Sequence, residues 1–302
     1  MTALLLASLV TTIAPVVAPV MAATGCGYVW GRKRLPFDHM FVTRIITLIS
    51  APCLVFSSLV QARLEGPLVG TMSLATLSCL ALFALLGGLG LKLLGARQRV
   101  YLPALIFPNI GNIGLPVCLF AFGPDGLSLA MVYFTVTSLL QFTAGEAIAS
   151  GQWRLLTILK LPFLHAAVLA GLIRGLDLSP PLWLTNSTTL LGNLAVPLML
   201  LALGVALAEL RVTHIRRACY VAVARLGLGL ASGGVVCWGL DLHGVMAGVV
   251  VVQSAMPVAV FNYLFAKLYD NDPQEVAGAV VMSTALAYAT LPFLVFGVMA
   301  IL

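Results

Sequence analysis

Apolar stretches of twenty residues and more follow one another along almost the whole of this 302-residue chain, separated by short connections marked by Pro, Gly, Arg and Lys. Crossing a bilayer as a helix takes about 20 largely apolar residues. In lipid a chain must satisfy every backbone polar group internally, which for open segments means an α-helix. Hydrophobic residues make up 61% of the sequence and charged ones 9%, against roughly 25% charged in a soluble domain. A soluble fold of this length cannot hide so much apolar surface. The sequence therefore predicts an all-α polytopic membrane protein solvated by the lipid bilayer, with no room for a separate soluble domain.

Hydropathy and Pro/Gly/charge punctuation predict ten transmembrane helices. They lie near 4–30, 39–61, 69–94, 100–122, 126–149, 155–176, 183–208, 214–240, 242–267 and 276–301. The basic residues then fall unevenly between alternate connections. The odd ones carry twelve: Arg32, Lys33, Arg34, Lys92, Arg97, Arg99, Arg154, Lys160, Arg211, Arg216, Arg217 and Lys267. The even ones carry two, Arg63 and Arg174. By the positive-inside rule the odd connections are expected in the cytoplasm and both termini outside. The N-terminal run has its basic cluster after the apolar segment, not before it, so it reads as a retained first span and not as a signal peptide. The net charge of +6 sits in these clusters and implies no nucleic-acid partner.

The prolines suggest an internal repeat. Pro36 and Pro181 are 145 residues apart, as are Pro52 and Pro197, and Pro116 and Pro257 are 141 apart. An offset near half the chain divides it into an N-terminal five-helix repeat, 1–150, and a C-terminal one, 151–302. Five is odd, so the second half is expected to be inverted in the membrane. Loop charge agrees: basic Arg32–Arg34 answers near-neutral Arg174–Ser179, while Arg63-Leu64-Glu65 answers basic Arg211–Arg217. Inverted repeats are a transporter architecture with the substrate site near the midplane, where the repeats meet.

Two spans read as broken. Span four contains Phe107-Pro108-Asn109-Ile110-Gly111-Asn112-Ile113-Gly114-Leu115-Pro116, and span nine Gln253-Ser254-Ala255-Met256-Pro257 with Asn262 beyond. Proline removes a donor and clashes with the preceding turn, and glycine weakens the helix further. Irregular backbone at that depth is tolerated only against protein or a wet cavity. If Pro116 and Pro257 open the second half-helices, as proline at a first helical position does, the N–H groups of Val117–Leu119 and Val258–Val260 face the break. Two such N-termini would favour an anion. The candidate substrate-binding residues are Asn109, Gly111, Asn112, Gly114, Pro116, Gln253, Met256, Pro257 and Asn262.

Ionisable residues inside spans are functional leads. His165 reads as a neutral core residue or a proton-coupling group. Arg225 is too deep to snorkel and needs an internal acceptor or the substrate. Glu146 and Arg44 lie near span ends, and Gln141 with Thr143 are weaker polar candidates. Six scattered cysteines form no CxxC or Cys/His cluster, so no metal and no cofactor is implied. No GxxxxGK[ST], HExxH or GxSxG occurs, which argues against ATP-driven transport in cis and against an intramembrane enzyme.

The run Asn109-Ile-Gly-Asn112-Ile-Gly-Leu-Pro116, the stretch Pro197–Ala208, and Ala255-Met-Pro257-Val-Ala-Val-Phe-Asn262 resemble those of the auxin efflux carrier family of permeases, relatives of the bile acid:sodium symporters. Tyr269–Pro273 and Ser283-Thr284 are also similar. The resemblance implies two inverted five-helix repeats, a scaffold part and a transport part, with broken helices crossing at Pro116 and Pro257. It further implies carboxylate or indole-acetic-type substrates, an elevator-like motion and a homodimer. The chain lacks the long central loop of the plant exporters and so resembles the compact prokaryotic kind, expected in an inner (plasma) membrane. It also lacks an acidic residue beside the break of the kind that couples sodium in the symporters. The expected function is a secondary transporter of a small organic anion by alternating access, coupled to H+, to Na+ or to neither. A sensor or scaffold that binds a ligand without flux is the alternative.

Overall fold

The structure, a computed structural model, describes residues 2–61, 66–153 and 159–301. Arg63 and Arg154, used in the loop-charge comparison, lie outside the described residues. α1 (Thr2–Arg32) leads into a capped turn, where the Asp38 carboxylate accepts the Phe41 N–H at 3.0 Å. α2 (His39–Ile45) continues through a π-helical turn, Ile46–Ser50, into α3 (Ala51–Gln61). α4 (Gly66–Leu93) is a single long rod. α5 (Gln98–Ile106) stops at a break, and the chain resumes with a π-turn, Ile110–Gly114, and α6 (Leu115–Leu140). A third π-turn, Gln141–Gly145, leads to α7 (Glu146–Ser150).

Then come α8 (Pro162–Gly175), α9 (Leu182–Gly192), α10 (Ala195–Glu209) and α11 (Ile215–Gly239). α12 (Gly244–Ser254) and α13 (Val260–Leu268) flank a second break, and α14 (Pro273–Ile301) ends the fold.

The chain is an all-α integral membrane protein. Among the described residues seven helices are long and apolar enough to cross a membrane. Spans four and five count there as one stretch, Ile110–Ser150, although the backbone at Gly123 is not helical. Its φ of 68° and ψ of −159° belong to a region only glycine visits freely, and Pro124 follows it. Gly123 is thus the corner between two limbs of α6.

Prolines explain the other irregularities. Pro52 and Pro197 each lack an N–H and press on the carbonyl four residues back. The π-turn of the second span ends at Ser50, two residues before Pro52. The gap between α9 and α10, Asn193–Leu194, ends three residues before Pro197. Prolines 145 residues apart therefore distort their helices at matching places.

Packing sorts the helices into two groups. α1 lies along α10, and α3 packs on α8 and α9. In the other group α4 packs on α5, α6 and α11, α11 on α12 and α14, and α13 on α14. The first group is knit backbone to backbone: a Cβ on Gly27 would meet the Leu201 carbonyl, and one on Gly204 the Thr24 carbonyl. Small residues that let helices approach this closely are the usual means of association in lipid. The groups meet where α1, α3 and α8 touch α6, where α1 touches α14 and where α10 touches the Ile110–Gly114 turn.

Polar contacts gather the odd connections at one end of the molecule. Arg97 pairs with Asp272, Arg217 with Glu275 (3.1 Å) and His39 with Glu209 (2.9 Å). Tyr269 donates to Glu146 at 2.6 Å and Asn271 to the Ala149 carbonyl at 2.6 Å. At the opposite end Arg174 reaches the Val60 carbonyl. All four tryptophans are exposed at or beside helix ends, Trp30 and Trp153 with the basic connections, Trp183 and Trp238 with the others. Aromatic residues at both water interfaces are characteristic of membrane proteins.

Candidate functional site

The two breaks cross one another. Pro108 cannot extend α5, and Phe107 turns extended, with φ −105° and ψ 99°. Pro257 does the same after α12. The two extended pieces pair as a short antiparallel bridge, Pro108 opposite Val258. Asn109 donates its N–H to the Pro257 carbonyl at 2.6 Å, and Ala259 returns one to the Phe107 carbonyl at 3.2 Å. Side chains complete the knot. The Asn262 amide donates to the Phe107 carbonyl at 2.9 Å, and Val258 N–H donates to Ser283 Oγ at 3.0 Å. Backbone groups freed by one break are thus met largely by the other, as the absence of water at this depth requires.

This geometry corrects the sequence reading at Pro116. The break lies at Phe107–Asn109, and the proline that faces the Pro257 break is Pro108. Pro116 stands at the second position of α6, already helical, and Val117 and Cys118 are buried. The free helix start is instead at Gly111 and Asn112, whose N–H groups have no acceptor among the described residues. In span nine the start moves from Pro257 to Val260, since the Val258 N–H is taken by Ser283.

Beside the crossing lies a cavity of about 500 Å³. Asn109, Gly111, Asn112 and Gln141 line it, as do Ala259, Val260 and Phe261 at the start of α13. Asn109 is buried, and its Nδ2 has no hydrogen-bond partner among the described residues. Further polar groups come from Thr43 and Thr47 around the π-turn of span two and from Ser138. The remaining walls are apolar and aromatic. Phe142 meets Phe261 edge-on at 5.2 Å, and Phe134 lies 5.4 Å from Phe163. His39, Glu209 and Lys267 also line it, and these residues belong to the basic end of the molecule.

Other predicted residues take different places. Gly114, Pro116, Gln253, Met256, Pro257 and Asn262 are buried in the knot and do not line the cavity. Gln253 is fully enclosed against Gly114, where a Cβ would overlap its amide, and neither of its amide heteroatoms has a partner among the described residues. Asn262 acts on the backbone, with a long 3.5 Å contact from Gln141. His165 is exposed on α8, away from the core expected for it. Arg225 is fully buried on backbone carbonyls. Glu146 is held by Tyr269, and Arg44 is exposed.

Thr43, Thr47, Ser138, His39, Glu209 and the four phenylalanines were not anticipated. Thr43 with Thr47, and Ser138 with Gln141, are polar pairs spaced i, i+4 and i, i+3 within apolar spans. That spacing was the available signal.

Comparison with known proteins adds identity to this geometry. Residues 146–295 match the family described as membrane transport protein. An uncharacterized transporter of Methanothermobacter thermautotrophicus is 27% identical over 281 residues, covering 84% of this chain and 87% of the relative. An uncharacterized transporter of Methanocaldococcus jannaschii is 24% identical, covering 59% of this chain and 61% of its own length. Auxin efflux carrier component 1 of Arabidopsis thaliana is 26% identical over 114 residues, 37% of this chain and 18% of the plant protein. With transporters as relatives and a family match across the second crossing helix, residues 146–295 of this chain belong to the membrane transport protein family, in line with the similarity to a plant auxin efflux carrier.

Proposed function

We propose that this membrane transport protein is a secondary transporter of a small organic anion, most suitably an acid with one carboxylate on an apolar body. The observation that carries the reading is the pair of helix starts on one cavity. Each helix N-terminus is equivalent to roughly half a positive charge. The unpaired N–H groups of Gly111 and Asn112 and the free Asn109 amide supply donors for a carboxylate. Charged residues lining the cavity belong to its end near the basic connections, so the anion-favouring field within comes from backbone and amides. The phenylalanines suit an apolar body better than a second carboxylate, which supports an auxin-like acid over a dicarboxylate. One relative is named an auxin efflux carrier.

We read the chain as ten crossings in two inverted halves, 1–150 and 151–302. The matched prolines, the reciprocal bridge and the gathering of odd connections support this. With the basic end in the cytoplasm and both termini outside, the cavity opens inward. Alternating access would come from sliding one helix group past the other.

The test is uptake into proteoliposomes of labelled indole-acetate, malate and malonate. Saturable indole-acetate uptake, at least tenfold lower in Asn109→Ala and Asn112→Ala, is the expected result. Unchanged flux in both variants overturns the site. Saturable binding with no flux for any acid overturns the transporter reading in favour of a sensor.

A further inference from the structure

The cavity uses one pair of helix ends, and the opposite pair meets on the far side of the crossing. α5 ends at Ile106 and α12 at Ser254. The last carbonyls of a helix lack intrahelical partners and carry the negative end of its dipole. Arg225, midway along α11, stands where these two ends converge. Its guanidinium donates to the Leu105 carbonyl at 2.8 Å, to the Ser254 carbonyl at 2.5 Å and to the Met256 carbonyl at 3.3 Å. Its Cζ lies 4.4 Å from the Phe83 ring centroid, and the residue is fully buried. Among the described residues no carboxylate pairs with it. The buried Glu146 and Glu275 face Tyr269 and Arg217 at the basic end.

The approach is built into α11. A Cβ on Gly229 would collide with the Ser254 carbonyl, so only glycine there lets α11 reach the end of α12.

In inverted-repeat transporters, unwound carbonyls and the C-terminal ends of half-helices are what coordinate a coupling Na+. Three carbonyl oxygens from two broken helices, converging on one buried point, have that composition. We propose that Arg225 is a resident cation in the place of a coupling ion, so that this protein binds no Na+ at the crossing and works without a sodium gradient. A guanidinium holds the two breaks together in every state of the cycle, whereas a bound ion would leave and return. The inference deepens the transporter reading, and only its flux arm depends on that reading.

The test is thermal stability of the purified full chain in detergent, in NaCl against choline chloride at equal ionic strength. Wild type and Arg225→Lys are expected to melt within about 1 °C in the two salts. Arg225→Met is expected to melt lower in choline and to recover several degrees in NaCl, as the vacated carbonyls take an ion. In proteoliposomes, wild-type uptake of labelled indole-acetate should agree within about twofold between the salts.

A wild type stabilised by NaCl over choline, or uptake raised tenfold by Na+, overturns the proposal. So does a folded Arg225→Met no more responsive to Na+ than wild type. If Arg225→Met does not fold, wild type and Arg225→Lys decide. Absence of flux for every acid would sink the transporter reading and leave the melting result to judge Arg225.

Discussion

The two sides of the crossing are made by the same four half-helices and are opposite in character. On the cavity side two helix starts present N–H groups, and the side chains beside them are neutral amides and hydroxyls. On the far side two helix ends present carbonyls, and a buried guanidinium over a phenylalanine ring answers them. The cavity side leaves donors unpaired, whereas the far side satisfies its acceptors. A broken helix creates a fixed field of both signs. Which sign remains for a ligand depends on which one the protein has already neutralised.

Substitutions on the two sides are expected to fail differently. The largest effect is expected at Gly229, where any Cβ drives α11 off the end of α12. Gly229→Leu should cost about 3 kcal/mol or more, as severe overpacking does, and yield little monodisperse protein by size-exclusion chromatography. A normally folded Gly229→Leu would show that the close approach is dispensable and that Arg225 is held by other means.

Asn262→Leu comes next, because its amide ties the Phe107 carbonyl within the knot. Losing a buried hydrogen bond of this kind costs about 1–2 kcal/mol, and both melting temperature and uptake should fall. Asn112→Ala should separate the two readouts. It lies on the cavity wall with intermediate exposure, so stability should stay within about 0.5 kcal/mol of wild type while uptake falls about tenfold, or about 1.4 kcal/mol of binding. A melting temperature that drops with uptake would make Asn112 a structural residue, and the cavity side would lose its distinction.

Much of the fold was legible because lipid imposes a simple rule on sequence: apolar runs of fixed length, basic residues at one end, prolines where helices bend. The breaks were visible as Pro/Gly/Asn clusters. Their register was not, because Pro108 and Pro116 carry the same local signal and only the partner strand at Pro257–Ala259 selects Pro108. Arg225 stood out as too deep to snorkel, but its acceptors are backbone carbonyls more than 28 residues away, which composition does not reveal. His165 is the converse case, exposed where a core position was one of its two readings. A lone histidine in an apolar run does not declare which face of its helix is turned out. The phenylalanine walls of the cavity come from three separate spans and have no common motif.

The smallest expected effect tests whether the favourable field begins at the cavity mouth or only at the crossing. Glu209 lines the mouth with Lys267 and is hydrogen-bonded to His39, both partners being about half exposed. Exposed pairs of this kind contribute little to stability, about 0.2–1 kcal/mol, so Glu209→Gln should melt close to wild type. Its negative charge, however, opposes an entering anion and weakens the pull of Lys267. Removing it should lower the KM for indole-acetate about two- to fivefold at low ionic strength, with kcat unchanged, because the charge acts on approach and not on translocation. Salt near 0.5 M shortens the screening length to a few ångströms and should erase the difference. His39→Gln supplies the control, since it breaks the same contact but leaves the Glu209 charge in place. If His39→Gln lowers KM as Glu209→Gln does, the pair obstructs the mouth sterically. If only Glu209→Gln does so, the effect is electrostatic, and the mouth belongs to the same anion-selecting field as the helix starts beneath it.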